Sequence, residues 1–237
     1  MRRLEDVLTE SFSAIGISCT DRQLEQFRQY YALLEERNRQ MNLTAITGEE
    51  EVALLHFVDS ATILPHLPGN ARRILDVGSG AGFPGLVLRI LRPDLELTLI
   101  DSQQKRVLFQ QDVCSFLGLE GVHCLHLRAE EAPLSMREAF DVVTSRAVAR
   151  LNVLSELCMP FVAVNGSFFA MKGAAAQEEL SESTHALSLL GGDAPRLIPC
   201  PIPGKDAEHA LVVCSKRKAT PARYPRRFAQ IRKQPLQ

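Results

Sequence analysis

A glycine-rich segment, ILDVGSGAGFPG at residues 74–85, constrains the fold of this chain more than any other stretch. An apolar run that contains one acid, Asp76, leads directly into four glycines within eight positions. Glycine adopts positive φ without strain, and it lacks the Cβ atom that would keep a ligand away from the main chain. The segment therefore predicts a buried strand followed by a tight turn, at which a ligand approaches the backbone.

Strand and helix patterns alternate along the chain after about residue 72, and this alternation predicts an α/β protein. Helices are expected at Gln103–Leu117 and Leu151–Phe161. Alternating elements of this kind form a parallel sheet covered by helices on both faces, which is a Rossmann-like architecture. The strands are expected at Arg73–Val77, Leu95–Ile100, Val122–Leu127, Phe140–Thr144, Gly166–Met171, Arg196–Cys200 and His209–Cys214.

The sequence divides into three parts of different composition. Residues 1–66 are expected to form a small helical domain, with capping-box patterns at Thr20–Gln23 and Thr47–Glu50 that predict two helix starts. Residues 67–216 would form the α/β domain. Residues 217–237 form a basic tail, and the stretch from Lys216 onward has eight basic residues and no acidic one. Such a tail favours contact with a polyanion, and the alternative is a solvated terminus.

Charge and cysteine usage exclude several classes of protein. The net charge is −1, which argues against a general nucleic-acid coat, and no apolar run of about 18 residues predicts a membrane span. The six cysteines lack zinc-site or Cys-x-x-Cys spacing, so we expect no metal site and buried, reduced thiols in a cytoplasmic protein. Nothing in the sequence demands a dimer, and we expect a monomer.

The turn and the acid that ends the next strand predict a ligand that contains adenosine. The turn has the pattern G-x-G-x-G, formed by Gly78, Gly80 and Gly82. The carboxylate of Asp101 can accept hydrogen bonds from the hydroxyls of a ribose. A dinucleotide-binding loop would have its third glycine at position 83, which is Phe83 here. The loop therefore favours S-adenosylmethionine (SAM) over NAD, with Asp76 placed to receive the methionine amino group directly or through water.

Several methyl acceptors are disfavoured because the chain lacks the motif that each requires. Adenine amine methylation needs an Asn/Asp-Pro-Pro-Tyr/Phe loop after the fourth strand, and this chain has TSRA at residues 144–147. Pyrimidine C5 methylation needs a nucleophilic cysteine, and the nearest one, Cys158, falls in a helical segment where we expect burial. Purine N7 already presents a lone pair, so its methylation can rely on orientation and proximity alone. A small-molecule acceptor stays open as an alternative.

Basic residues follow three successive predicted strands at the edge of the sheet where the ligand is expected. They are Arg128, Arg146 and Lys172. Such side chains can hold phosphate or stack on a base, which favours a nucleic-acid substrate. The alternative is that each cation pairs with a neighbouring acid, for example Glu130 or Asp141.

Upstream, His56, Asp59 and Ser60 share one helix face, for which we favour a polar contact between domains over a place in the acceptor pocket. Lys105 is either a surface charge or a brace for the cofactor loop.

A set of short motifs gives the chain its resemblance to one family. Between about residues 25 and 235 it resembles the RsmG family, also called GidB, of bacterial small-subunit rRNA methyltransferases. The Phe-Pro-Gly extension of the glycine loop makes the likeness specific, whereas Phe228 and Ala229 stand where glycine is usual in the tail. The motifs are Asn42–Thr44, His56–Ser60, Asp76–Gly85, Asp101–Arg106, Arg128–Glu130, Ser145–Ala147, Lys172–Gly173, Arg223–Arg227 and Pro235–Leu236.

The resemblance implies a seven-stranded SAM-dependent methyltransferase fold and methylation of N7 of one guanine of 16S rRNA, nucleotide 527 in the conventional rRNA numbering. The partner would be the small ribosomal subunit or its precursor. Only the resemblance points to Phe83 and Ala129, and it implies that Arg146 positions the methyl group or the guanine. The expected cofactor-binding residues are Asp76, Gly78, Gly80, Gly82, Phe83, Asp101, Ala129, Glu130 and Arg146. The expected RNA-binding residues are Arg128, Lys172, Arg223, Arg226 and Arg227.

Overall fold

A seven-stranded sheet forms the centre of the structure, a computed structural model that describes residues 2–146, 149–206 and 208–236. The strands are β1 (Arg73–Val77), β2 (Glu96–Asp101), β3 (Val122–His126), β4 (Phe140–Arg146), β5 (Val162–Lys172), β6 (Arg196–Pro199) and β7 (Ala210–Ser215). Their spatial order is β3-β2-β1-β4-β5-β7-β6. The first five strands in this order are parallel, and β7 runs antiparallel to both β5 and β6. This order confirms the predicted α/β class, and the antiparallel β7 is the one departure from a parallel sheet.

Helices lie on both faces of the sheet. They are α1 (Leu4–Ala14), α2 (Asp21–Met41), α3 (Glu49–Val52), α4 (Asp59–Ala61), α5 (Gly85–Leu91), α6 (Gln104–Leu117), α7 (Leu151–Cys158), α8 (Ala176–Leu189) and α9 (Phe228–Lys233). A π-helical turn, Ala53–Val58, joins α3 to α4 without a break. Within the described residues, no helix is both long and apolar enough to span a bilayer.

One of the two predicted capping boxes is present. The Thr20 hydroxyl accepts a hydrogen bond from the Gln23 backbone, and the Gln23 side chain accepts one from the Thr20 backbone, so α2 begins as the sequence predicts. At Thr47–Glu50 the predicted helix start is present, but the capping box is not. α3 begins at Glu49 after Gly48, which has a φ of 89° and no side chain to cap the helix. Glu49 instead accepts a hydrogen bond from the backbone of Leu4, 2.8 Å away, and so ties α1 to α3.

Successive side chains of β1 point to opposite faces of the sheet and into two different cores. Ile74 packs with the first core, which contains side chains of α1, α2, α5, α6 and the π turn. Leu75 packs with the second core, beneath α7, α8 and α9. The first core is continuous across residue 66, from Phe27 and Phe57 to Leu86. The limits proposed for the helical domain therefore do not coincide with a separate hydrophobic core.

The tail is anchored to the second core at several positions. Tyr224 and Ile231 are buried there, and each large apolar side chain removed from water contributes roughly 1.5–3 kcal/mol. The fully buried Lys216 ammonium donates to the Met159 carbonyl at 2.8 Å and pairs with Glu138 at 2.9 Å. Among the described tail residues, the solvated terminus considered as an alternative is therefore not observed.

The cysteines are all free, in agreement with the predicted thiols. Three of them, Cys158, Cys200 and Cys214, are buried, and the other three are partly exposed. Burial also raises the pKa of the Cys158 thiol well above its usual value, which makes it a poor nucleophile. The structure thus supports the expectation that Cys158 is a core residue.

Candidate functional site

The carboxyl ends of the parallel strands meet at one edge of the sheet and place the predicted polar residues there. Asp101 is the last residue of β2, Arg146 the last of β4 and Lys172 the last of β5. Arg128 follows two residues after β3. In open α/β sheets this edge is the general ligand-binding side. The predicted neighbourhood of these residues is therefore confirmed, although their individual contacts differ. Ala147, the last residue of the Ser145–Ala147 motif, lies outside the described residues.

The glycine loop serves two purposes. Gly78, Gly80 and Gly82 all have positive φ, at 70°, 58° and 97°, a conformation that favours glycine. A Cβ on Gly80 would point into open space, its nearest neighbour being the Gly78 carbonyl oxygen at 4.0 Å. A Cβ on Gly82 would instead lie 2.6 Å from the Tyr30 hydroxyl. Gly80 thus leaves its main chain accessible, whereas Gly82 makes room for the Tyr30 side chain of α2, and its cofactor contact stays a prediction.

A cavity of about 310 Å³ opens beside this loop. Its walls combine bare main chain at Gly78 and Gly80 with side chains from the sheet edge and from the N-terminal segment. Side chains that line it include Thr44, His56, Phe83, Asp101, Arg106 and Arg146. Five of the nine residues expected to bind the cofactor lie on this wall: Gly78, Gly80, Phe83, Asp101 and Arg146.

A recess of about 120 Å³ adjoins the cavity and shares Gly78, Asp101 and Ser102 with it. Ala129 and Glu130, which the family resemblance named, line this recess. Asp76 and Gly82 are the two expected cofactor residues that line neither space.

The Asp101 carboxylate holds the loop in place. One oxygen accepts a hydrogen bond from the Gly80 amide at 2.9 Å and lies 3.4 Å from Arg106, and the other accepts from the Gln103 amide at 2.8 Å. An ionised carboxylate offers about four acceptor positions, so these contacts leave little more than one for a ribose hydroxyl. The pairing also shows that Arg106, and not Lys105, is the nearby brace. The Lys105 ammonium donates to the Met41 carbonyl at the end of α2.

Asp76 is buried completely beneath the loop. One of its oxygens accepts a hydrogen bond from the Gly85 amide at 2.8 Å, and the other has no partner among the described residues. Burial raises the pKa of Asp76 to about 7 because the ionised form is poorly solvated. Asp76 has no exposure, and its contact with the methionine amino group, directly or through water, stays a prediction. Its observed contact fixes the start of α5.

Arg146 is held by residues from the N-terminal segment. Its guanidinium donates to the Leu55 carbonyl, to the Asp59 carboxylate and to Nδ1 of His56, each at 3.0 Å. The His56 ring is neutral, since burial and the neighbouring arginine lower its pKa to about 3. Nδ1 must then be the acceptor, which leaves Nε2–H to donate to the Thr44 hydroxyl at 2.8 Å. The polar contact between segments that we expected for His56 and Asp59 is therefore a contact with Arg146.

Asp59 and Phe83 complete the environment of Arg146. The second oxygen of Asp59 accepts from His209 at 3.0 Å, and this hydrogen bond raises the pKa of His209. The guanidinium carbon lies 5.0 Å from the centre of the Phe83 ring. The same ring stacks on His56, with 4.5 Å between the ring centres and 15° between the ring planes. Local sequence patterns did not indicate His209, because it lies 150 residues from Asp59.

A second cavity, of about 670 Å³, lies on the other side of Arg146. It shares only His56 and Arg146 with the first cavity. Its remaining wall includes apolar Leu55 and Met171 and polar Glu208 and His209. Because one fixed guanidinium borders both cavities, groups bound in the two spaces would approach each other there.

The five residues expected to bind RNA fall into two groups. Lys172 and Arg226 each pair with an acid inside the protein, which for Lys172 is the alternative stated above. The Lys172 ammonium lies 2.8 Å from Glu179 and is only 7% exposed, and Arg226 forms a two-pronged pair with the fully buried Glu156. Exposed guanidinium groups are found in Arg128, Arg223 and Arg227. Arg128 is exposed and lies 4.0 Å from the largely buried Glu130, which is a long distance for an ion pair.

Comparison with known sequences gives the family of the chain. Residues 23–200 match the sequence model of the family described as GidB, rRNA small subunit methyltransferase G. The chain belongs to the GidB family. A GidB relative from Limosilactobacillus reuteri, named ribosomal RNA small subunit methyltransferase G, is 46% identical over 228 residues, which cover 94% of this chain and 95% of the relative. A relative of the same name from Clostridium perfringens is 42% identical over 234 residues, 98% of each chain.

Comparison with solved structures shows that the chain shares its fold with methyltransferases. A SAM-dependent methyltransferase from Aquifex aeolicus aligns with a TM-score of 0.54 at 18% identity, over 69% of this chain and 93% of that one. A mutant 16S rRNA (adenine(1408)-N(1))-methyltransferase from Catenulisporales acidiphilia aligns with a TM-score of 0.51 at 14% identity, over 69% of this chain and 92% of that one. These similarities confirm the predicted methyltransferase fold.

Proposed function

We propose that this chain uses SAM to methylate N7 of a guanine in the 16S rRNA of the small ribosomal subunit. Membership of the GidB family supports the reaction and the substrate. The observation that carries the proposal in this molecule is the position of Arg146, which borders both cavities and is held by Asp59 and His56. In this arrangement the first cavity with its recess takes the cofactor, and the second takes the guanine.

The residues around the first cavity fit SAM. The bare main chain of Gly78 and Gly80 admits a ligand at van der Waals distance, and Asp101 retains acceptor capacity for a ribose hydroxyl. The Phe83 ring and the Arg146 guanidinium lie at the end of the cavity that faces the second cavity. When bound, SAM supplies an electrophilic methyl group on a positively charged sulfur.

The task of the protein is then to align the acceptor with that methyl group. Guanine N7 carries its own lone pair, so no side chain has to remove a proton before attack. Holding two reactants in line accounts for about 7–11 kcal/mol of barrier reduction in well-oriented systems. Arg146 is suited to this task because three hydrogen bonds fix its guanidinium in place before any substrate arrives. A flipped-out base would enter the second cavity against Leu55 and Met171.

Arg128, Arg223 and Arg227 are the exposed cations that we assign to the phosphates of the RNA. Contacts of this kind orient a nucleic acid without reading its sequence. Arg128 lies beside the cofactor recess, and the two tail arginines flank the buried Glu156–Arg226 pair. The RNA would thus contact the sheet edge and the tail together.

The proposal is tested by incubating the protein with isotopically labelled SAM and small subunits whose rRNA lacks the modification. Nucleoside analysis should find the label in 7-methylguanosine. Arg146→Lys, which keeps the charge and loses the planar fork, should slow methylation by about a hundredfold, a loss typical of misplaced reactants. Arg150→Ala is the matched control, because Arg150 is exposed and pairs with Glu178 and Glu182 away from the cavities.

Two other results would contradict the proposal. Label that enters a small molecule of a cell extract and no RNA would favour the small-molecule alternative. SAM binding without transfer to any acceptor would indicate a binding protein without catalysis. Full activity of the Arg146→Lys variant would remove Arg146 from the reacting site while leaving the substrate assignment intact.

A further inference from the structure

The tail brings an aromatic side chain to the cofactor side of the sheet. Phe228, the first residue of α9, lines the recess that also contains Ala129 and Glu130. Its side chain is one of the large apolar groups of the protein that stay exposed, at 36%. Phe228 lies about 150 positions from the glycine loop in sequence, and the family resemblance places glycine, not phenylalanine, in this region of the tail.

The position of Phe228 is fixed by contacts on both sides of it. Arg226, two residues earlier, donates backbone and side-chain hydrogen bonds to the buried Glu156, between 2.6 and 3.2 Å. Ile231, three residues later, is fully buried in the second core. Arg137 donates to the Tyr224 carbonyl at 2.7 Å. The backbone of the tail is therefore anchored where Phe228 enters the recess.

The order of the three spaces indicates which part of the cofactor lies next to Phe228. The acceptor cavity shares residues with the first cavity and none with the recess. The methyl group must lie at the acceptor end, beside Arg146, and Asp101 marks the ribose between the cavity and the recess. The recess is then the place for the adenine ring, with Leu127 and Leu157 as further apolar walls.

We propose that Phe228 is a cofactor-positioning residue that covers the adenine ring of SAM. This inference rests on the proposed function and adds a residue to its site. A half-exposed phenyl ring and a flat heteroaromatic ring both lose water when they come into contact, and stacking of a base on an aromatic side chain contributes substantially to affinity. The tail therefore completes the cofactor pocket in addition to contacting RNA.

The experiment uses the absence of tryptophan from the chain. In a Phe228→Trp variant the only indole would lie in the recess, so titration with SAM should change its fluorescence with the same midpoint that calorimetry gives. Adenosine should also change it, whereas methionine should not. Phe116→Trp is the matched control, because Phe116 is 62% exposed on α6 and lines none of the three spaces; its fluorescence should not respond.

Affinity measurements give a second readout. Phe228→Ala should weaken SAM binding about tenfold, and Phe228→Leu should recover part of the loss, while Phe116→Ala leaves affinity unchanged. The inference would be overturned if calorimetry showed SAM binding to Phe228→Trp without a change in its fluorescence. It would also be overturned if Phe228→Ala bound SAM with unchanged affinity. Neither result would contradict the proposed function. Failure of the wild-type chain to bind SAM would overturn the proposed function, and this inference with it.

Discussion

Two aspartates on neighbouring strands show how burial assigns different tasks to the same side chain. Asp101 receives two backbone amides and a nearby arginine, so its charge is compensated at the edge of the cavity. Asp76 accepts one hydrogen bond, from a backbone amide, and has no exposure to water. The sequence predicted both as ligand contacts because both end a strand near the glycines. Only the surrounding fold, which local spacing does not encode, distinguishes them.

Substitution of Asp101 by asparagine should weaken SAM binding. Asparagine keeps one acceptor oxygen but loses the charge that holds Gly80 and Gln103, so we expect a ten- to hundredfold loss, about 1.5–3 kcal/mol. Calorimetry measures the affinity directly. Asp112→Asn, on the exposed face of α6 and paired only with Arg37, is the control and should bind SAM like the wild type. Equal affinities for the two variants would contradict the role of Asp101.

Asp76 should make stability depend on pH in an unusual direction for a carboxylate. Its folded pKa of about 7 lies above its unfolded value, so its contribution is complete below about pH 4 and is lost as the pH rises through 7. Asp76→Asn removes this loss, and its oxygen can still accept from the Gly85 amide. In urea unfolding between pH 5 and 8, the free energy of unfolding of the variant should rise relative to that of the wild type by up to a few kcal/mol as the pH rises. A constant difference across this range would refute the assignment.

At the level of elements, the tail illustrates how a basic composition can conceal a packed segment. The basic residues from Lys216 onward suggested either a polyanion site or a solvated end. In the structure, Lys216 pairs with the partly exposed Glu138 and Arg226 with the buried Glu156, whereas Arg223 and Arg227 of the same segment are exposed. The difference arises from Glu138 and Glu156, which lie 78 and 70 positions upstream of their partners.

Removal of the buried Arg226–Glu156 pair should destabilise the packing of the tail against the second core. Arg226→Ala leaves the Glu156 carboxylate, which has no exposure, without its guanidinium, and uncompensated buried charges cost about 3–5 kcal/mol. Arg227→Ala, one position on and exposed, should change stability by less than about 0.5 kcal/mol. Denaturant unfolding followed by circular dichroism compares the two. Similar stabilities would mean that the pair does not anchor the tail.

The strands were predictable and several helices were not, for a physical reason. Buried parallel strands are continuous apolar runs, so β1 matches its predicted limits and the other strands differ by up to four residues at an end. α8 was not predicted, since much of its buried side consists of small or polar residues such as Ala176, Ser183 and Ala186, which give a weak helical pattern. α5 and α9, also not predicted, are short. In the site, the glycine loop, Asp101 and Arg146 could be predicted from local motifs, and helical spacing indicated a polar contact for His56 and Asp59, but not that Arg146 is their partner.

The whole molecule brings two distant segments of the chain to one edge of the sheet. The N-terminal segment supplies His56 and Asp59, and the tail supplies Phe228 to the cofactor recess and carries the exposed Arg223 and Arg227. The net charge of −1 therefore conceals a local cationic surface, because acids elsewhere balance it. Binding to RNA should depend on this surface and not on the overall charge.

The salt dependence of RNA binding should report on that surface. A double Arg223→Ala/Arg227→Ala variant should lower the slope of log K against log salt by about 1.5, since each lost phosphate contact removes about 0.7–0.9. The control is Arg72→Ala/Arg92→Ala, whose arginines pair with Asp94 near the opposite edge of the sheet. Filter binding to small-subunit rRNA at several salt concentrations gives the slopes. An unaltered slope in the tail variant would mean that its arginines do not contact phosphate.

The continuous core across residue 66 has a consequence for attempts to shorten this protein. A fragment that starts at β1 would lack Phe27 and Phe57, so the apolar side chains of Leu86 and Phe109 would be exposed to water. In this fragment, Arg146 would also lose the hydrogen bonds that the N-terminal segment makes to its guanidinium. Deletion of the tail would remove Tyr224 and so expose part of the second core. Both end segments contribute to the packing of the sheet, so variants shortened at either end should fold less stably.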